Sequence, residues 1–220
     1  MSKPEPAGAS DESPTAKRAY ADRLATLERR GIRRLIDVQA PYRWNLRRFR
    51  LGRVLDVGCG LGRNLVSLDA GSVGVDHNAE SIRIARERGL TAYTSDEFFS
   101  GGVAEPKSFD TLLFAHVLEH LPDADGLDLV RAYLPFLKDG GRLCFITPQP
   151  RGYRSDATHV TYIDLDGLRV RARRLGAEVE RALSFPLPRV FGQVFTYNEF
   201  VVVARWPGET GAADTVTGAA

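Results

Sequence analysis

Cysteine is scarce in this chain. There are two, Cys59 and Cys144, one in a glycine-rich turn and one in an apolar run. No Cys-x-x-Cys spacing occurs, so neither a disulfide framework nor a thiolate metal site is expected, and the usage fits a reducing compartment. Long apolar runs are absent as well: nothing approaches the ~20 residues needed to cross a bilayer. Residues 1–15, MSKPEPAGASDESPT, lack the apolar centre of a secretory signal. The expected location is therefore the cytoplasm. Net charge is only +2, which by itself calls for no polyanionic partner. No internal repeat is visible, which argues against a solenoid.

What remains is one domain of ordinary size: 220 residues, 43% hydrophobic and 26% charged. The charge is unevenly spread. Residues 17–53 hold 12 Lys and Arg against 3 Asp and Glu. A solvated helix face accounts for such a run, and so does a basic edge that receives an anionic substrate.

The chain is organised around Arg53-Val-Leu-Asp-Val-Gly-Cys-Gly-Leu-Gly-Arg-Asn64. A short apolar run breaks into Gly58, Gly60 and Gly62, and Leu65, Val66 and Leu68 resume at helical spacing. This reads as strand, tight turn and helix, the first half of a βαβ unit. Glycine is needed where the turn uses positive φ and brings its backbone against a ligand. Asp56 lies two residues before the first glycine. A second run, Ser72-Val-Gly-Val-Asp76, ends in an acid 18 residues after Gly58. An acid at that strand tip accepts hydrogen bonds from ribose hydroxyls. The G-x-G-x-G spacing departs from the G-x-G-x-x-G of dinucleotide oxidoreductases and disfavours that class.

In chain order, residues 1–15 read as a disordered tail and residues 16–52 as a helical cap. Within the cap, an amphipathic helix carries Tyr20, Leu24, Leu27, Leu35 and Val38 and is stopped by Pro41. Residues 53–206 hold the main domain, and residues 207–220 form a second disordered tail. Strands are expected at 53–57, 72–76, 90–94, 109–115, 142–147, 177–184 and 198–205. A helix follows the glycine loop to about Leu68, and others follow Asn78, Asp123 and Asp164. Gly140-Gly141 reads as a turn and 148–160 as a long loop. The last two strands have no crossover helix between them and should pair as antiparallel neighbours. The fold class is thus α/β, a Rossmann-like doubly wound seven-stranded sheet, mostly parallel.

These motifs, over about residues 53–205, resemble the class I S-adenosylmethionine (SAM)-dependent methyltransferases. Phe109-Asp-Thr-Leu-Leu-Phe-Ala-His-Val-Leu-Glu-His120 is similar to the segment after the fourth strand in small-molecule methyltransferases, ubiquinone-biosynthesis types included. Leu137-Lys-Asp-Gly-Gly-Arg-Leu143 resembles their turn before strand five. The resemblance implies SAM as cofactor. It places Asp76 on the ribose, Asp96 on the adenine amino group and Phe98 on the ring. Gly58 and Gly60 lie under the methionine and ribose, and Asp56 orients the glycine loop or the methionine ammonium. Cys59, Gly62, His77, Glu97 and His116 complete the cofactor set. Tyr42, Arg43 and Asn45 are candidates to close the pocket, while Trp44 is expected to pack under the sheet edge.

His116, His159 and Tyr162 are the candidate catalytic residues, since an acceptor that must lose a proton calls for a histidine neutral near pH 7. The order His116-x-x-Glu119-His120 is similar to inverted zinc motifs, but its third ligand would have to come from elsewhere, and no metal is expected. The loop residues Arg151, Tyr153, Arg154, His159 and Tyr162 suit an anionic small-molecule acceptor. Nucleic acid is not expected: Ala115-His116-Val117-Leu118 stands where base methyltransferases carry an Asn/Asp-Pro-Pro-Tyr/Phe motif. The expected activity is methyl transfer to an oxygen or nitrogen of a small or conjugated metabolite. The alternative is a non-catalytic SAM- or nucleotide-binding module.

Overall fold

A computed structural model describes residues 40–103 and 105–208. The expected tail at 1–15, the amphipathic helix before Pro41 and the segment from residue 209 onward lie outside the described residues. Pro41 lies in the first turn of a described helix, α1, Ala40–Arg48. Proline is tolerated in a first turn, where its missing N–H costs no intrahelical bond. The remaining elements are β1 (Val54–Val57), β2 (Val73–Asp76), α2 (Ala79–Glu87), β3 (Ala92–Thr94), α3 (Ser95–Ser100), β4 (Phe109–Ala115), α4 (Asp123–Tyr133), β5 (Leu137–Pro148), α5 (Pro150–Tyr153), α6 (Leu165–Arg174), β6 (Glu178–Phe185) and β7 (Glu199–Arg205).

The seven strands form one sheet in the order β3-β2-β1-β4-β5-β7-β6. β7 runs antiparallel to both of its neighbours, and the pairs from β3 to β5 are parallel. The sheet is apolar on both faces. Leu55, Val57, Leu112, Phe114, Leu143, Phe145, Val202 and Ala204 point to one side, where they join Leu127 and Val130 of α4 and Leu168 and Ala172 of α6. Val54, Leu113, Ala115, Cys144, Ile146, Val201 and Val203 point to the other, where Leu46 of α1 packs with Phe49 and Leu51. This two-sided burial explains why β4 reads as an unbroken apolar run.

Three local expectations are corrected. The helix after the glycine loop is only a 3₁₀ turn, Leu65–Ser67, with Val66 exposed. Asp69-Ala-Gly71 leads straight into β2, which leaves no length for a full helix. Gly140-Gly141 is not a turn before β5 but lies within it. The register jumps from Phe109↔Leu137 to Thr111↔Arg142, so the glycines sit in a bulge, with Gly140 at φ 72°. Trp44 is 58% exposed and does not pack under the sheet edge; Arg48 lies over its ring at 5.0 Å. No helix among the described residues is long and apolar enough to cross a membrane.

Gly74 shows how tightly the glycine loop is set on the sheet. A Cβ there would come within 2.6 Å of both Cys59 Sγ and Leu65 Cδ1. Gly74→Ala should therefore destabilise the fold by about 1–3 kcal/mol through overpacking. Chemical denaturation checks this, and an unchanged midpoint would show that the loop yields freely.

Candidate functional site

The carboxyl ends of β1 and β2 carry the glycine loop. Gly58 N and Cys59 N both donate to Val75 O, at 2.7 and 3.0 Å, which ties the loop to β2. All three glycines have positive φ, but their surroundings differ. A Cβ on Gly58 would collide with Val117 and one on Gly62 with Leu90, whereas one on Gly60 would meet nothing within 4 Å. Gly60 alone faces open space; the other two glycines serve packing. Cys59 turns its thiol into the small cluster of Leu65, Ile82, Ala85 and Ala92, and burial pushes its pKa up, so it is inert.

Asp76 holds this arrangement. Its Oδ2 accepts from Gly60 N and its Oδ1 from Asn78 N, both at 2.8 Å. Asn78 in turn caps α2, accepting from Glu80 N and Ser81 N. A carboxylate has about four lone-pair positions, so two remain for a vicinal diol. His77 Nδ1 lies 3.4 Å from Asp76 Oδ1, and its side chain is 77% exposed at the rim.

Of the two roles expected for Asp56, a hydrogen bond to the glycine loop is not seen among the described residues. Asp56 is fully buried, and neither oxygen has a hydrogen-bond partner among the described residues. The glycine loop is thus oriented by Asp76, not by Asp56. Burial raises the Asp56 pKa to about 7; the nearby Asn64 side chain draws it down and the Asp76 charge adds to the rise. An orphaned buried carboxyl beside an open glycine turn fits a ligand that brings both a cation and a diol.

The segment after β3 divides its work. Asp96 is exposed in the first turn of α3. Glu97 is committed to structure: it completes a capping box with Thr94 and pairs with Arg86 at 2.6 Å. Phe98 is 2% exposed and packs against Tyr133 and Phe136, so its ring belongs to the core and is not free to lie on a ligand.

The second half of the site lies beyond β4. His116 takes a left-handed backbone, φ 58°, which a non-glycine residue rarely adopts. Its Nδ1 lies 3.2 Å from Glu119 Oε1 and its Nε2 2.8 Å from Glu199 Oε1. Burial opposes the imidazolium charge, but the two carboxylates outweigh it and hold the pKa up at about 10. The paired carboxylates favour the charged form of His116, which counts against its expected use as a base. Glu199 escaped the sequence reading because it lies 83 positions from His116; only the antiparallel β7 brings it to this edge.

The loop after β5 is not wholly irregular: α5 forms its first turn. The loop then returns to the 3₁₀ turn Leu118–His120, where Val160 N and Thr161 N both donate to Glu119 O, at 2.8 and 3.0 Å. His159 lies with its ring centroid 4.7 Å from that of His120 and stacks on Tyr153. Tyr162 meets Tyr153 edge-on, and its pKa is raised, chiefly by burial, so it stays protonated. Burial lowers the His120 pKa, which favours its neutral form. His116 and His159 thus meet at Glu119, with Tyr162 one ring further out. Tyr42 donates to Tyr197 O at 2.5 Å and fastens α1 to the β6–β7 connection, near Glu199. Asn45 is buried, and its Oδ1 has no partner among the described residues.

Asp56 supplies a pH test. Its folded-state pKa exceeds its unfolded value of 3.8, so the folded state binds the proton more tightly. That stability is whole below about pH 4 and is lost as pH rises through about 7. Without ligand, Asp56→Asn should match wild type near pH 4 and exceed it at pH 8 by an amount on the order of a few kcal/mol. Parallel denaturation curves at the two values decide; a constant difference would mean that Asp56 does not titrate in this window.

Comparison with known proteins gives this geometry a family. A methyltransferase-domain profile matches residues 19–182. Ubiquinone biosynthesis O-methyltransferase of Xanthomonas euvesicatoria is 34% identical over 103 residues, 43% of this chain and 42% of the relative. The Paraburkholderia phymatum protein of the same name is 29% identical over 64% of this chain and 72% of its own length. The match thus spans less than half of the first of these relatives. A Haloferax volcanii putative methyltransferase, solved with the Trm112 activator, shares the fold with a TM-score of 0.64 at 19% identity, covering 87% of this chain and 96% of that one. A profile over residues 19–182, a glycine turn open only at Gly60 and an acid closing β2 converge: the chain belongs to the methyltransferase-domain family, with SAM as its cofactor.

Proposed function

We propose that this chain transfers a methyl group from SAM to an oxygen or nitrogen atom of a small or conjugated metabolite. One observation carries the reading. The open Gly60 turn is held by Asp76 and follows a strand that carries the buried, unpartnered Asp56, on the same sheet edge as a loop rich in histidine, tyrosine and arginine. When bound, the cofactor supplies an electrophilic sulfonium methyl, which leaves alignment and exclusion of water to the protein. Asp76 would accept the ribose hydroxyls with its two remaining lone-pair positions, and Asp56 would meet the methionine ammonium. Asp96 would take the adenine amino group.

On the acceptor side, an imidazolium at His116 has no lone pair to receive a proton, so it would position and polarise. His120 and His159 are the imidazoles fitted to take a proton from a hydroxyl or an ammonium group. Tyr162 remains a hydrogen-bond donor. Arg151 and Arg154, exposed on the same loop, suit a carboxylate or phosphate on the acceptor. The name shared by the curated relatives favours an oxygen acceptor. The reading includes a cytoplasmic location and no nucleic-acid substrate.

Asp76→Ala should weaken SAM binding about ten- to a hundredfold, since charge-assisted hydrogen bonds of roughly 1.5–3 kcal/mol are lost. Calorimetric titration on a variant whose fold is verified by its melt tests this, and undiminished affinity would remove the cofactor assignment. Incubating wild type with methyl-labelled SAM and a metabolite extract tests turnover. Tight SAM binding without any labelled product would favour a binding module.

A further inference from the structure

Glu119, His120 and His159 converge at the sheet edge. One donor atom from each lies within 4.8 Å of the others. Four features make this more than a chance cluster.

The Glu119 side chain is 1% exposed. Its Oε1 is engaged by His116, while its Oε2 is buried with no hydrogen-bond partner among the described residues. An unpartnered buried carboxylate oxygen is costly unless something compensates it.

Both histidines are fixed in one tautomer. Thr158 spends its hydroxyl proton on Asp156 Oδ1 at 2.8 Å, so towards His120 Nδ1, 3.1 Å away, it can only accept. The Thr158 carbonyl, 3.3 Å from the same nitrogen, also only accepts. His159 Nδ1 lies 2.8 Å from the Tyr153 carbonyl. Both Nδ1 atoms therefore carry the proton, which leaves each Nε2 with its lone pair. An outer hydrogen bond of this kind to each histidine is the usual support for a metal-bound imidazole.

The backbone that brings the three together is fastened. Val160 N and Thr161 N clamp the loop to Glu119 O, and Thr161 Oγ1 donates to Leu121 O at 2.6 Å. Thr147 Oγ1, at the end of β5, bonds Ile163 O at 3.0 Å.

The donor set is also selective. Two imidazoles and one carboxylate suit a first-row divalent transition ion, whereas Mg²⁺ and Ca²⁺ favour all-oxygen sites.

We propose that Glu119, His120 and His159 form a binding site for a divalent transition-metal ion such as Zn²⁺. Bonds of about 2.0–2.1 Å place tetrahedral ligand atoms roughly 3.4 Å apart. The site closes by a small inward movement of His159, the ligand carried on the loop. Three protein ligands leave the fourth position open to water or to an oxygen of the acceptor. A hydroxyl bound there would be acidified and would release its proton to solvent water, so neither imidazole would be needed as a base. That consequence rests on the proposed methyl transfer; the metal site itself does not.

The test needs neither SAM nor an acceptor. The full chain, stripped with a chelator and dialysed, is titrated with ZnCl₂ by calorimetry and with CoCl₂ by visible absorption. The expected result is one equivalent of Zn²⁺ and d–d bands typical of four- or five-coordinate Co²⁺, with Mg²⁺ in tenfold excess failing to compete. His159→Ala and His120→Ala should each weaken Zn²⁺ at least a hundredfold. Thr158→Val, which touches no proposed ligand atom and removes the hydroxyl acceptor at His120 Nδ1 while leaving the carbonyl one, should weaken it several-fold, by up to about tenfold. His77→Ala, an exposed histidine away from the cluster, should leave it unchanged. Melts of each variant separate loss of metal from loss of fold. Sub-stoichiometric uptake by wild type would overturn the site. So would Zn²⁺ affinity that survives His159→Ala in a folded protein, or equal binding of Mg²⁺.

Discussion

Two oxygens of Asp76 hold the working edge of this sheet. One fixes Gly60 in the turn after β1, the other fixes Asn78 at the start of α2, and Asn78 passes the constraint on by capping that helix. Strand, turn and helix thus share a single anion. Bonds to a charged acceptor are worth roughly 1.5–3 kcal/mol each, enough to keep a loop with several positive-φ residues in one conformation. The open space over Gly60 exists because the turn cannot relax into it.

Beyond that edge, two ionisable groups sit in contrasting surroundings, Asp56 buried and His116 exposed on one side. Asp56 is buried with its pKa drawn up to about 7, while His116, between two glutamates, is held at about 10. A carboxyl that resists ionising and an imidazole that resists neutralising lie at the ends of adjacent strands, β1 and β4. The difference lies in their partners. Asp56 has no hydrogen-bonded neighbour among the described residues, and His116 has two carboxylates.

The parts of this site that were legible in the sequence are local. The glycine spacing, Asp56, Asp76 and the Asn78 cap all fall within about two dozen residues, where strand and turn chemistry suffice to place them. The seven strands followed from apolar runs bounded by glycine and proline. What was not legible depended on distance or on competition for the same side chain. Glu97 reads as a ligand-facing acid, but the capping box and Arg86 claim it. Phe98 reads as a ring for stacking, but Tyr133 and Phe136, more than thirty positions later, enclose it. His116 reads as a base until Glu199 arrives from the far end of the chain.

Glu199 reaches this edge because β7 alone runs against the others, so that its first residue lies where the parallel strands finish. In chain order, β7 comes after β6 but lies between β5 and β6 in the sheet. A nascent chain exposing everything through β6 has the glycine loop and β4 but lacks the strand that fits between β5 and β6. Until β7 inserts, β6 has no partner in the sheet and His116 lacks one of its two carboxylates. The charge on His116 therefore depends on the seating of β7, and the imidazole's titration reports whether that strand has docked.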